Sequence, residues 1–463
     1  MENTKKKWPF GFYVCSLTFT FERFAYYSAK WLISVFVVAE VANGGLGLTK
    51  ADGALMNSFI VAFTYITPVI GGFISDRWIS PRLLVPLGEI LMGLGYLCAW
   101  QAHSEAMLWA MIVLVSIGTG FFKGTVSGIN GRQFPKADED TLDSIFSIQY
   151  SFVNIGSFLG TTFVSMIALA VSYRFAFLLC AIAMFVDVLW WIFGLRFIEN
   201  DAGKLPFLVD NRTEKVETLD KDTAKEDSAP LTTIEKKRVA AILLCTLFSG
   251  IFWLLWYLVY LPVYYEFGPV EQGGLGWANW NIGSFQMPTA WFDSMNGLCC
   301  IVLGPVFAAV WAKMQKRPQG DISMFKKTAL GIILLGLGIV AMVVAALMSG
   351  EGEKAVGIWI IVVVAVLMSV GEMIFSPLGN SFINKFAPKK LLGTLLGVWP
   401  LIIFFSGLAY GPLYNWLGNF RFVTAFGIVA AIIIGCGVIL WALSGKLDEL
   451  VVKDERSEER RVG

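Results

Sequence analysis

Glu22, Arg23, Lys30, Glu89, Lys123, Asp187, Asp293 and Glu372 are ionisable residues set inside stretches that are otherwise apolar enough to cross a bilayer. A charge at the centre of a bilayer costs roughly 2.5–3.5 kcal/mol on insertion scales, so such residues persist where they meet water, a partner or a ligand. The basic ones all lie in the first half of the chain, whereas Asp293 and Glu372 lie in the second. Arg23, Tyr27 and Lys30 recur at i, i+4 and i+7, one stripe along a helix, and Glu22 and Tyr26 form a parallel stripe beside it. A face of cations and phenols must turn toward water or protein. It is either an ion-pair seam that locks the halves together or the wall of a solute cavity. Cations in one half and carboxylates in the other suit a small zwitterion, with a carboxylate at one end and an amine at the other.

The elements that must carry these residues are membrane helices. The chain of 463 residues is 56% hydrophobic and 15% charged, against roughly 25% charged in soluble proteins. A span needs about 20 mostly apolar residues. Qualifying segments run approximately over 10–39, 53–75, 83–101, 106–130, 142–170 and 172–198, then 238–265, 287–313, 325–349, 355–386, 391–417 and 421–445. The stretch 199–237 is polar, mixed in charge and poor in aromatics, and reads as a mobile linker. The expected organisation is an all-α membrane protein of twelve transmembrane helices in two six-helix halves, the major facilitator fold. Its parts are a first bundle over 1–198, the linker over 199–237, a second bundle over 238–446 and a tail over 447–463.

Basic residues set the orientation. Lys5–Lys7, Arg77, Arg82, Arg132, Lys136, the linker, Lys313, Lys316, Arg317, Lys326, Lys327, Lys385, Lys389, Lys390 and the tail all fall on one side. The opposite loops hold Lys50, Arg174, Lys354 and Arg421. Both termini are therefore expected in the cytoplasm, in a multi-pass protein of the cell membrane, a bacterial inner membrane on the shortness of its loops. The first apolar segment lacks a small-residue cleavage site and reads as a span and not as a removed signal peptide.

Several classes are disfavoured. A net charge of +1 gives no basic face for nucleic acid. One histidine, His103, placed in a loop, cannot build a His-rich metal site or a nucleophile–base pair, so no enzyme, metal or cofactor is expected. Cysteines 15, 98, 180, 245, 299, 300 and 436 lie in apolar stretches without CxxC spacing and read as small buried hydrophobes. GLGYL and GLGIV follow no strand, so Gly93, Gly95, Gly336 and Gly338 read as helix-packing glycines. No P-loop occurs, which argues against an ATP-driven pump. A sensor built on a transporter fold would call for a long folded domain outside the membrane, and none is legible.

FTFERFAYYSAK (19–30), TPVIGGFISDR (67–77), GTGFFKG (118–124), YSFVNIGSF (150–158), PTAWFDSMN (288–296), GEMIFSPLG (371–379) and LLGVW (395–399) occur in this order. Together they resemble the motifs of the proton-coupled oligopeptide transporters within the major facilitator superfamily, from the first helix to the eleventh. The resemblance implies import of di- and tripeptides by alternating access, driven by protons. It implies that Arg23, Lys30 and Lys123 meet the peptide carboxylate and that Asn154 and Glu372 hold its amino group. Tyr26, Tyr27, Tyr65, Trp253, Tyr257, Asn296, Ser376 and Trp399 would line the cavity, and Asp76 and Arg77 would hold helix ends.

Three positions depart from that family's pattern, making this an atypical member. Phe19 stands where the family has the first glutamate of its first-helix motif, Lys30 where it has arginine, and Tyr257 where it has a seventh-helix glutamate. Lysine cannot form arginine's bidentate fork, and tyrosine keeps one hydroxyl. Glu22, Asp293 and Glu372 remain as proton carriers. Two alternatives stay open: the same fold with another solute (a peptide-like metabolite, nitrate or a nucleoside), or transport without protons. Glu89 and Asp187 match no motif and are expected at an interface or paired with neighbours. Short peptides, protons and the bilayer are the expected partners of a monomer.

Overall fold

A computed structural model describes residues 8–134, 139–209, 231–318, 320–375, 379–388 and 391–452. Ser376, Lys5–Lys7, Lys136, Arg212, Lys215, Lys221, Lys225, Lys389, Lys390 and the tail from Lys453 lie outside the described residues. Among those described, ten helices are long and apolar enough to cross a membrane, and Trp359–Phe375 is a shorter apolar one. Phe10–Val38 adds a 29-residue helix that carries Glu22, Arg23 and Lys30. These account for the twelve expected spans.

The chain divides into two compact units: Met1–Thr49 with Phe59–Thr218, and Lys50–Ser58 with Leu219–Gly463. The first unit is built on α1 (Phe10–Val38), most of α2 (Lys50–Arg77), α3 (Pro81–Trp100), α4 (Glu105–Arg132), α5 (Glu139–Leu159), α6 (Ser165–Ala170) and α7 (Tyr173–Gly194). A π-helical turn, Gly160–Val164, joins α5 to α6, so the two read as one span. Helix α1 packs on α5 and α7, and α3 packs on α4 and α7. The crossing of α2 and α4 is close enough to require glycine: a Cβ on Gly71 would stand 1.9 Å from the Gly120 carbonyl oxygen. Gly93, Gly95 and Gly336 are packing positions as read, against Phe185, Val115 and Ile434, whereas Gly338 has only ordinary contacts.

In the second unit, α8 (Thr233–Tyr265) begins inside the stretch read as linker. The reason is local: Thr232 accepts from the Glu235 amide at 3.2 Å and Glu235 accepts from the Thr232 amide at 2.7 Å, a complete capping box. It is followed by α9 (Trp291–Gln315), α10 (Met324–Ser349), α11 (Trp359–Phe375), α12 (Gly379–Phe386), α13 (Leu392–Leu417) and α14 (Phe422–Val452), which runs past the expected start of the tail. Of the segment expected as one span over 355–386, α11 and α12 are the described helices, and 376–378 lie outside the described residues. A short parallel pair joins β1 (Ala278–Asn279) to β4 (Val356–Gly357), and β2 (Asn281–Ile282) pairs antiparallel with β3 (Phe285–Gln286).

The start of the expected linker is docked against the first unit and is not a free tether. Arg82 donates from Nε to the Ala202 carbonyl at 2.8 Å and from Nη2 to that of Ile198 at 3.2 Å. Arg132 lays its guanidinium 3.9 Å from the centre of the Phe207 ring. Ala202 and Phe207 are buried.

Candidate functional site

In the first unit the charged stripe of α1 is buried. Glu22 is fully enclosed, Arg23 is 6% exposed and Lys30 is 2% exposed. Neighbours at i and i+1 on a helix do not ordinarily face each other. Here the Arg23 guanidinium nevertheless turns onto Glu22 and donates from Nε and Nη2 to its two carboxylate oxygens. The same guanidinium lies 4.5 Å from the centre of the Tyr26 ring and 5.7 Å from that of Tyr27. Tyr26 is fixed in turn by a 3.1 Å hydrogen bond between its hydroxyl and that of Thr64 on α2. The two stripes expected on α1 are thus joined by one ion pair, with an aromatic flank.

Lys123 on α4 stands with its ammonium 4.6 Å from the centre of the Tyr65 ring, within electrostatic reach of Arg23 and Glu22. It is half-buried, so two cations and a phenolic platform share one region. Asn154 on α5 is buried, and its amide donates to the Tyr150 carbonyl one turn earlier at 3.0 Å. Its side-chain oxygen remains the acceptor it can offer to a ligand.

In the second unit Glu372 on α11 is 4% exposed and accepts from the Asn296 amide of α9 at 2.9 Å. Asn296 also donates to the Ser369 hydroxyl at 3.1 Å. One amide thereby orients the Glu372 carboxylate. Trp253 and Tyr257 on α8 lie with ring centres 5.8 Å apart, and Tyr257 stacks on Tyr410 at 5.4 Å. The Trp253 indole N–H is buried without a hydrogen-bond partner, and Trp399 is 9% exposed. Asp293 on α9 is buried and receives the Tyr264 hydroxyl.

Sequence reasoning missed two clusters. One is at the end of α8: Glu266 accepts from the Tyr414 hydroxyl at 2.7 Å and faces Lys50 at 3.8 Å, while Lys50 donates to the Tyr265 carbonyl at 2.9 Å. Burial pushes the Glu266 carboxyl up to about 7, against the lowering effects of Lys50 and Tyr414. The other joins Glu89, Asp187 and Glu22, which three separate helices bring within electrostatic reach of one another. No spacing along the chain could reveal either. The only signal was an acid inside an apolar stretch. Arg77, expected to hold helix ends, lies with its guanidinium 4.0 Å from the ring centre of Phe73 on its own helix.

Apolar spanning helices that bury an ion pair, an amide-held carboxylate and aromatic platforms define a polytopic membrane carrier. The chain belongs to the Major Facilitator Superfamily, whose family model matches residues 20–349. It is 26% identical to a protein called an uncharacterized transporter, YclF, of Bacillus subtilis, over 94% of each chain. It is 24% identical to a di-/tripeptide transporter of Lactococcus lactis subsp. cremoris, over 93% of this chain and 94% of that one. A crystal structure of the peptide transporter POT in complex with alafosfalin superimposes with a TM-score of 0.83 at 24% identity, covering 96% of both chains. A POT family transporter in complex with 5-aminolevulinic acid gives 0.83 at 23%, covering 95% of this chain and 97% of that one. The resemblance to oligopeptide transporters read from the ordered motifs is borne out, as is the twelve-helix fold.

Proposed function

We propose that this chain imports di- and tripeptides by alternating access, coupled to protons. The observation that carries the reading is chemical: two cations on aromatic platforms in one unit, buried Arg23 and half-buried Lys123, and a buried amide-held carboxylate in the other, Glu372 with Asn296. A peptide is a zwitterion whose carboxylate matches the first set and whose ammonium matches the second. Arg23, Lys30 and Lys123 take the carboxylate. Glu372 and Asn154 take the amino group. Tyr26, Tyr27 and Tyr65 in the first unit, and Trp253, Tyr257, Asn296 and Trp399 in the second, offer surfaces to peptide side chains of many shapes. The names of the di-/tripeptide relatives support the same cargo.

Arg23 acts as part of a pair, because Glu22 already holds it. Substrate carboxylate and Glu22 compete for one guanidinium, which links peptide binding to the charge state of Glu22. Glu22, Asp293 and Glu372 are the proton carriers in this scheme, within a monomer of the bacterial inner membrane whose termini face the cytoplasm.

Uptake of labelled dialanine into proteoliposomes, with and without an inward proton gradient, tests the reading. Gradient-driven accumulation is the expected result. Exchange without gradient-driven accumulation would remove protons from the scheme. Absence of both would turn attention to another small solute on the same fold.

A further inference from the structure

Glu89 on α3 and Asp187 on α7 take no part in the peptide contacts above, yet both are fully enclosed. None of their four carboxyl oxygens has a hydrogen-bond partner. The Thr18 hydroxyl on α1, also fully buried and unpartnered, faces the Asp187 carboxyl but falls short of a hydrogen bond. The Tyr96 hydroxyl, two helical turns beyond Glu89 on α3, is likewise buried and unpartnered, within electrostatic reach of Glu22, Arg23 and Tyr26.

The titratable and charged groups around the pair can be named helix by helix. Glu22 on α1 is the charged group that faces both members, and the Thr18 hydroxyl of the same helix faces Asp187; Arg23 and Lys123 lie in turn within electrostatic reach of Glu22. Arg23 is committed to Glu22 on both carboxylate oxygens, and Lys123 stands over Tyr65. No cation among the described residues is ion-paired to Glu89 or Asp187. Burying an ionised carboxylate without a donor is far costlier than burying the neutral acid, and neighbouring like charges add to the cost. Two such groups side by side hold protons in place of counter-ions.

We propose that Glu89 and Asp187 form a proton-holding site inside the first unit that exchanges a proton with Glu22 during transport. The inference rests on the proton-coupled reading above. When a substrate carboxylate draws the Arg23 guanidinium away, Glu22 is left as a buried anion. A proton then passes from the pair to Glu22, leaving one carboxylate in the pair shared against a remaining acid, O–H···O⁻. The Thr18 hydroxyl, which faces Asp187, supplies a donor that an anionic pair needs. Return of Arg23 to Glu22 expels that proton toward the inner side, and the pair takes its replacement from the outer side, so that one proton crosses per cycle. The pair thus serves as a reservoir that the peptide itself never touches.

The test uses Glu89→Gln, Asp187→Asn and the double variant in proteoliposomes, with two transport readouts. Gradient-driven accumulation of dialanine is expected to fall at least tenfold in the double variant, while peptide-for-peptide exchange changes less than twofold. Infrared difference spectra of wild-type protein, taken on adding peptide, should show one protonated-carboxyl band lost and another gained at a different frequency, both shifting with aspartate- or glutamate-selective ¹³C labelling. If wild type neither exchanges nor accumulates dialanine, the transport reading fails. If wild type accumulates and the double variant accumulates equally, the reservoir is overturned. If the variants do not insert, the wild-type spectrum decides: a buried-acid band unmoved by peptide means permanently neutral, structural acids and overturns the proposal.

Discussion

Replacing Glu22 by glutamine should lower stability and strengthen peptide binding at the same time. The wild-type pair buries a guanidinium that donates to both oxygens of a fully enclosed carboxylate. Breaking a buried pair from one side costs about 3–5 kcal/mol, because the remaining charge is left without compensation. Glutamine keeps one carbonyl acceptor, and a hydrogen bond to a charged donor returns about 1.5–3 kcal/mol. The expected loss is therefore about 2 kcal/mol for Glu22→Gln and about 4 kcal/mol for Glu22→Ala. The rings of Tyr26 and Tyr27 remain over Arg23 in both, so their contribution cancels. The assay is thermal unfolding in detergent, followed with and without dialanine. A guanidinium freed of its carboxylate is open to the peptide's own, so added dialanine should raise the melting temperature more in Glu22→Gln than in wild type. Equal stability of all three proteins, or a smaller peptide-induced shift in the variant, would refute the reasoning.

Other outcomes follow from the same structure. Glu372→Gln removes the charge that Asn296 orients, so KM for dipeptides should rise at least about tenfold, equivalent to about 1.4 kcal/mol. Inhibition by N-acetylated dipeptides, which carry no ammonium, should be unchanged. Glu266 has its carboxyl raised in the folded state from 4.5 to about 7. The folded protein then binds this proton more tightly than the unfolded chain. The associated stability is full below about 4.5 and is lost as pH rises toward 7, by at most about 3 kcal/mol. Melting curves across that range should flatten in Glu266→Gln. Adjacent glycines should diverge: Gly71→Ala would press a methyl on the Gly120 carbonyl and cost about 1–3 kcal/mol or more. Gly72→Ala meets open space and should be neutral or slightly stabilising, by melting temperature.

Much of this was legible along the chain, and the reasons differ by residue. The spans announce themselves because lipid forces long runs of apolar residues, whatever their partners. Arg23, Lys30, Lys123 and Glu372 were visible as charges in the wrong solvent, and the ordered motifs attached roles to them. The start of α8 was misplaced because Lys236 and Lys237 look like linker, although the Thr232–Glu235 capping box begins the helix ahead of them. The docked segment near Ala202 was misread for a similar reason. Its polar composition hides the carbonyls that Arg82 holds.

By itself the sequence determined the helical membrane class, the number of spans and which side chains carry charge where charge is costly. Those properties depend on each residue's own transfer from water to hydrocarbon, a local quantity. Tertiary structure alone decided that Arg23 answers to Glu22, that Asn296 holds Glu372, and that Glu89, Asp187 and Glu22 meet. Pairing depends on distances between helices far apart in the chain, and an electrostatic or hydrogen-bond energy exists only once packing has set that distance.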